Sequence, residues 1–192
     1  MKQLTIAFQY GNRDYIEQIC RKFLNESLTG SYEWIQENCT DITIGKGFNK
    51  LVDRVKTEYV LWTPDDFAFF PNGNWVNQSI NILKDRPDIG IIDLRKEQDG
   101  ETPWMVDKRD YIGDQSFLIC RRWADRRFNL TPFIARTKDI KKILPLNEQD
   151  TTGNIAEADG YNKWNSKLLM ARLDIPFKGV CFHMGWNRSR YA

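Results

Sequence analysis

The chain has 192 residues, 41% of them hydrophobic and 13% aromatic, enough to fill the core of one domain. Its 28 Lys and Arg against 26 Asp and Glu leave a net charge of +2, which argues against a dedicated nucleic-acid binder. Four isolated cysteines and a single histidine argue against a structural zinc site. Cys20, Cys39, Cys120 and Cys181 mostly lie in apolar segments and read as reduced core residues. No apolar run reaches membrane-spanning length, and the N-terminal MKQLTIAFQYGNRD has no signal-peptide h-region. A soluble, cytoplasmic protein is the expectation.

Taken in order, Leu4 to Phe8 reads as a buried strand running into a polar turn with Gly11. Asp14 reads as the N-cap of a helix with Ile16, Ile19, Cys20, Phe23 and Leu24 at helical spacing, ended by Thr29-Gly30. Tyr32 to Ile35 is a second strand. Asn38 to Lys46 reads as a loop, with a short strand at Ile42 to Ile44 as its one regular option. Gly47 opens a second helix with Phe48, Leu51, Val52 and Val55 on one face.

The run Tyr59 to Trp62 is a short buried strand that stops at two adjacent carboxylates, Asp65 and Asp66. Carboxylates at the C-terminal end of such a strand stand where open α/β sheets bind ligands. Their hard oxygens suit a divalent cation, which suits phosphates in turn. A plain turn opened by aspartate accounts for the same residues.

Trp75, Val76, Ile80 and Leu83 predict a third helix ending near Pro87, and Ile89 to Leu94 another buried strand. This alternation predicts a mostly parallel, Rossmann-like sheet flanked by helices. The second half is less regular. Arg95 to Ile112 reads as a long loop or short hairpin, Ser116 to Cys120 as a strand, and Arg121 to Lys138 has no placement. Asp139 to Leu144 reads as a short helix, and Asn147 to Gly153 as a mobile polar loop. Ala158 to Leu173 reads as a helix and Phe177 to Phe182 as the last strand.

In order and spacing these pieces resemble the GT-A glycosyltransferases of the family 2 type. The resemblance rests on Gln9-Tyr10-Gly11-Asn12-Arg13 after the first strand and on Gly47-Phe48-Asn49 before the acidic one. It continues through EYVLWTPDDFAFFP, Pro71-Asn72-Gly73-Asn74-Trp75, Glu157-Ala158-Asp159 and Phe182-His183. It implies one GT-A domain, with residues 1–94 as its nucleotide-binding half and 95–192 as its acceptor-binding half. One departure stands out. The family's Asp-x-Asp triplet is Pro64-Asp65-Asp66 here, so its first acidic position is a proline.

The resemblance implies transfer of a sugar from a nucleotide-diphosphate sugar to an acceptor hydroxyl, with inversion, assisted by Mn²⁺ or Mg²⁺. By that reading Asp66 and His183 hold the metal, with Asp65 as a second acidic contact. Asp159 is the general base, with Glu157 beside it, although capping-box spacing from Asn154 and the helix dipole account for both carboxylates structurally. Gln9, Tyr10, Arg13, Asp41, Lys46 and Asn49 surround the nucleotide, and Arg188 and Arg190 face the diphosphate. Phe8 or Tyr10 stacks on the base, core packing being the plainer role for Phe8. Asp93, Arg95, Trp104 and Asp114 fall to the sugar and acceptor region. The partners are then a nucleotide sugar and an unidentified glycan or other acceptor, without nucleic acid. Three alternatives stay open: a non-catalytic sugar-nucleotide binder, a nucleotidyltransferase, and nucleic-acid binding through the Arg121 to Arg136 stretch.

Overall fold

The computed structural model describes residues 2–11, 14–71, 74–95, 106–120, 128, 130–149, 154–164, 168–175 and 180–184. An eight-stranded sheet forms the centre. Its first half is β1 (Leu4–Tyr10), α1 (Asp14–Ser27), β2 (Glu33–Asn38), α2 (Ile44–Arg54) and β3 (Tyr59–Pro64). After a two-residue turn come β4 (Phe67–Phe69), α3 (Trp75–Asp85) and β5 (Ile89–Asp93). The second half supplies β6 (Val106–Ile112), β7 (Gln115–Cys120), β8 (Phe133–Arg136), α4 (Thr137–Ile140), α5 (Asn154–Lys163), β9 (Leu169–Leu173) and β10 (Cys181–His183).

The sheet order is β2-β1-β3-β8-β5-β9-β7-β6. Strands β2, β1, β3, β5, β9 and β6 point one way, and β7 and β8 oppose them. Strand alternation sends side chains to two cores. Leu4, Ile6, Phe8, Tyr59 and Leu61 meet Leu24 of α1 and Trp75, Val76 and Leu83 of α3. Ala7, Val60 and Trp62 meet Phe48, Leu51 and Val52 of α2 and Ala156 of α5 on the other face. Period-2 strands between period-3.6 helices thus produce the three layers that the sequence predicts.

Several boundaries differ from the expectation. α2 starts at Ile44 rather than Gly47, because Thr43 caps it and accepts from the Lys46 amide at 3.2 Å. Ile44 is therefore helical, and no strand forms at Ile42 to Ile44. β8 lies in the stretch left unplaced. It runs antiparallel between β3 and β5, with all four of its residues buried. Val106 to Ile112, in the stretch read as a long loop or short hairpin, is instead a full strand, β6, which turns into β7 through Gly113 at φ +55°.

The expected helix Ala158 to Leu173 is corrected to a helix followed by a strand. α5 ends at Lys163, and β9 is threaded between β5 and β7. A strand buried on both faces has no polar alternation, so Leu169 to Leu173 gives no period to read. The last strand is also shorter than expected and leaves the main sheet. β10 pairs antiparallel with β4 as a separate ribbon, Cys181 opposite Phe69 and His183 opposite Phe67. Among the described residues no helix is long and apolar enough to cross a membrane.

Candidate active site

The parallel strands deliver their C-terminal ends, and the loops that follow them, to one edge of the sheet. At this edge β3 stops at Pro64, and Asp65 and Asp66 turn the chain back into β4. Asp65 is only 7% exposed. Its Oδ2 accepts the Gly11 backbone N–H at 2.8 Å. This bond fastens the loop after β1 to the aspartate turn.

Asp66 faces the ribbon. Its Oδ2 lies 3.0 Å from His183 Nε2, and its carbonyl accepts from the Met184 amide at 2.7 Å. The Phe67 ring packs against the imidazole, with centroids 4.9 Å apart. The pairing of β10 with β4 thus sets a carboxylate beside an imidazole from the other end of the chain. The local field is negative. Beneath the turn, burial and then the Asp66 and Asp65 carboxylates push the Cys20 thiol from 9.0 to about 12.

The donor set fits a divalent cation that takes its remaining ligands from outside the protein. An ion with ligands at about 2.1 Å places neighbouring ligand atoms about 3 Å apart, which matches the separation of the Asp66 and His183 atoms. The carboxylate suits manganese or magnesium with diphosphate oxygens, and the imidazole favours the transition metal of the two. Among the described residues no third Cys, His, Asp or Glu joins them. Asp65 is turned to Gly11 instead.

The two α5 carboxylates stand at the same edge, in different contacts. Glu157 Oε1 accepts the Leu130 N–H at 2.8 Å, and the Leu130 carbonyl accepts the Trp62 indole at 3.1 Å. Asp159 Oδ2 accepts the Asn147 N–H at 2.8 Å and pairs with Lys163 Nζ at 2.7 Å. The described part of the expected mobile loop is thereby tied down. Thr43 donates to the Glu148 carbonyl, and Asn49 exchanges hydrogen bonds with the Leu146 backbone.

The residues expected around the nucleotide separate into two groups. Gln9 is buried over Gly47 beside the Cys39 thiol, which burial raises to about 11 against the lowering effect of Gln9. The Tyr10 carbonyl accepts from the Cys39 amide at 2.6 Å, which closes the gap between the β1 and β2 loops. Asp41 and Lys46 are exposed. Asn49 is committed to the 146–148 loop. Phe8 is core, as its plainer role has it. Arg13, Trp104, Arg188 and Arg190 lie outside the described residues.

Two features escaped the sequence reading. Arg21 lies over the Phe8, Tyr10 and Trp34 rings at 4.7, 5.9 and 5.7 Å, so a guanidinium already stacks on the aromatics expected to face a base. Arg172 of β9 pairs with Asp93 at the end of β5 at 2.7 Å, both side chains buried. Asp93 Oδ1 also accepts the Arg95 amide and the Thr131 hydroxyl. An arginine inside an apolar five-residue run was the available signal, and the helical reading of that run hid it.

Comparison with solved structures identifies the architecture. The chain is similar to Staphylococcus aureus TarS, a GT-A-type glycosyltransferase. TarS 1–349 matches with a TM-score of 0.63 at 12% identity, over 96% of this chain and 61% of that one. The same segment in complex with UDP matches with a TM-score of 0.64 at 13% identity, over 95% and 60% of the two chains. Its UDP-GlcNAc complex matches with a TM-score of 0.62 at 13% identity, over 95% and 58%. The chain therefore spans 58–61% of the length of these TarS structures. It has the GT-A fold. No family model matches the sequence, and no curated protein does.

Proposed function

We propose that the chain is a glycosyltransferase that moves a sugar from a nucleotide-diphosphate sugar to an acceptor hydroxyl. The observation that carries this reading is the Asp66–His183 pair at the end of β3, within a GT-A fold. The similar solved structures include a UDP and a UDP-GlcNAc complex of TarS, so a UDP-sugar is the first donor to test.

Transfer makes two demands. The departing diphosphate gains charge, and the acceptor hydroxyl must lose a proton. Asp66 and His183 would hold Mn²⁺ or Mg²⁺, which supplies Lewis-acid neutralisation of the diphosphate when bound. Asp65 holds the Gly11 loop in place beside it. Gln9, Tyr10, Arg13, Asp41 and Lys46 are proposed to frame the nucleotide, with Arg188 as a phosphate contact. We assign the general base to Asp159, with Glu157 as the alternative. One base acting through one displacement inverts the anomeric carbon. The four cysteines are unbridged, as in a reducing compartment, and we place the protein in the cytoplasm on that ground.

A binding-only reading has one observation in its favour. The first acidic position of the triplet is Pro64, and Asp65 is spent on Gly11. Thermal shifts with UDP-, GDP-, dTDP- and CMP-sugars, each with and without Mn²⁺, test the donor site, since a ligand of the folded state raises its stability. We expect a metal-dependent shift with one nucleotide class that Asp66→Ala removes. No shift with any of them sinks the proposal. Single-turnover transfer then separates enzyme from binder. Asp159→Asn should keep the donor shift and lose transfer by about a hundredfold or more. Full transfer in Asp159→Asn with loss in Glu157→Gln moves the role to Glu157. Full transfer in both leaves α5 without a base.

A further inference from the structure

A cleft of about 440 Å³ opens between α3, the β6–β7 turn and the end of β9. Its helical wall carries Asn74, Asn77, Gln78 and Asn81. These positions follow the i, i+3, i+4, i+7 spacing of a single helix face. Asparagine is a poor helix former, and a helix face that only meets water ordinarily uses Lys, Glu or Gln instead. Here the amide face has a polar wall opposite it. Asp114, Gln115 and Ser116 form that wall, and Gln115 Nε2 donates to the Gln78 carbonyl at 3.3 Å, which ties the two sides together. Leu173 and Ile175 give an apolar floor.

Among the described lining residues there is no lysine or arginine. One of the two carboxylates, Asp174, is neutralised by Arg109 at 2.6 Å. What is presented is an array of amides, a hydroxyl and the Asp114 carboxylate over aliphatic carbon. Each amide offers donors and an acceptor side by side, which is the complement of vicinal hydroxyls. Phosphates and uronic acids find no cation among these residues and meet a carboxylate. The volume suits a small ligand.

We infer that this cleft binds a neutral, polyhydroxylated ligand, one or two sugar residues in extent. Since the β6–β7 turn and the end of β9 lie at the same edge of the sheet as Asp66, the cleft is the acceptor subsite of the transferase. That last step rests on the transferase reading, whereas the glycan binding itself does not.

Saturation-transfer NMR on the full chain, without nucleotide, tests it with maltose, N,N′-diacetylchitobiose and cellobiose, and with glucose 6-phosphate and digalacturonic acid as anionic comparators. We expect transfer to at least one neutral disaccharide and none to the anions. Asn77→Ala/Asn81→Ala should weaken it by about tenfold or more, two hydrogen-bonding groups being removed. Both residues are exposed, so the thermal midpoint is the folding control. The amide side-chain resonances of Asn77 and Asn81 should shift on titration. Transfer to no neutral sugar, transfer that survives the double variant, or preference for an anion overturns the inference. Because no donor is present, failure of the transferase reading leaves this result standing, and the reverse also holds.

Discussion

Asp65 and Asp66 are adjacent and chemically identical, yet they do different work. Their hydrogen-bond partners separate them. Asp65 points back to Gly11, and Asp66 points to the ribbon. A hydrogen bond to a charged acceptor contributes about 1.5–3 kcal/mol. Asp65→Ala should therefore lower unfolding free energy by about that amount, read from urea midpoints, while Asp65→Asn keeps an acceptor and loses less. An Asp65→Ala protein as stable as the parent would show that Gly11 does not depend on it. The thiol beneath the turn gives a pH signature. Cys20 sits at about 12 in the fold against 9.0 for the ordinary thiol. Between those values the unfolded chain has lost a proton that the native chain keeps, so stability falls as pH rises through that window. Cys20→Ala should flatten the fall. An unchanged pH profile would mean that the thiol is not sealed.

At the scale of elements, the first half of the chain was legible because each strand and helix announces its period. Leu4 to Phe8, Tyr59 to Trp62 and Ile89 to Leu94 sit between amphipathic helices, and the structure keeps that order. β8 and β9 were not legible for a shared physical reason. Each is short, buried on both faces and carries an arginine, Arg136 or Arg172, whose charge is met inside the fold. Arg136 bonds Asp139 and the carbonyls of Leu83, Pro87 and Ile89. Nothing local in Phe133 to Arg136 reports those distant partners. The site followed the same pattern. The aspartate turn was readable from its own residues, whereas Asp66 and His183 were joined only through the family resemblance, because their pairing depends on a ribbon between strands far apart in sequence. Close packing at α2 was half readable, since Gly45 and Gly47 were visible but not what they approach. A Cβ on Gly45 would stand 2.1 Å from the Asn147 carbonyl oxygen. Gly45→Ala should therefore cost about 1–3 kcal/mol by overpacking and loosen the loop that Asp159 holds. Hydrogen exchange at the Asn147 amide reads this directly. Unchanged protection there would place the loop's anchor elsewhere.

For the whole molecule, sheet order decides which parts can stand alone. Residues 1–94 read in sequence as a run of alternating strands and helices. In space β3 and β5 are not neighbours, because β8 from the other half is hydrogen-bonded to both. Without β8 the two strands face each other across an empty strand position, with unpaired N–H and C=O groups on both inner edges. Strand β9 completes β5 from its far side in the same way. Trp75 on one face and Trp62 on the other would each lose partners that come from residues beyond 94, among them Leu130, Phe133 and Val180. The cores therefore form together or not at all. A 1–94 fragment should lack dispersed amide resonances and a cooperative melt. The complete chain should unfold with far-ultraviolet dichroism and tryptophan fluorescence coincident within error. A folded 1–94 fragment, or two separated transitions in the complete chain, would mean that the halves are independent units and that β8 docks onto a sheet already made.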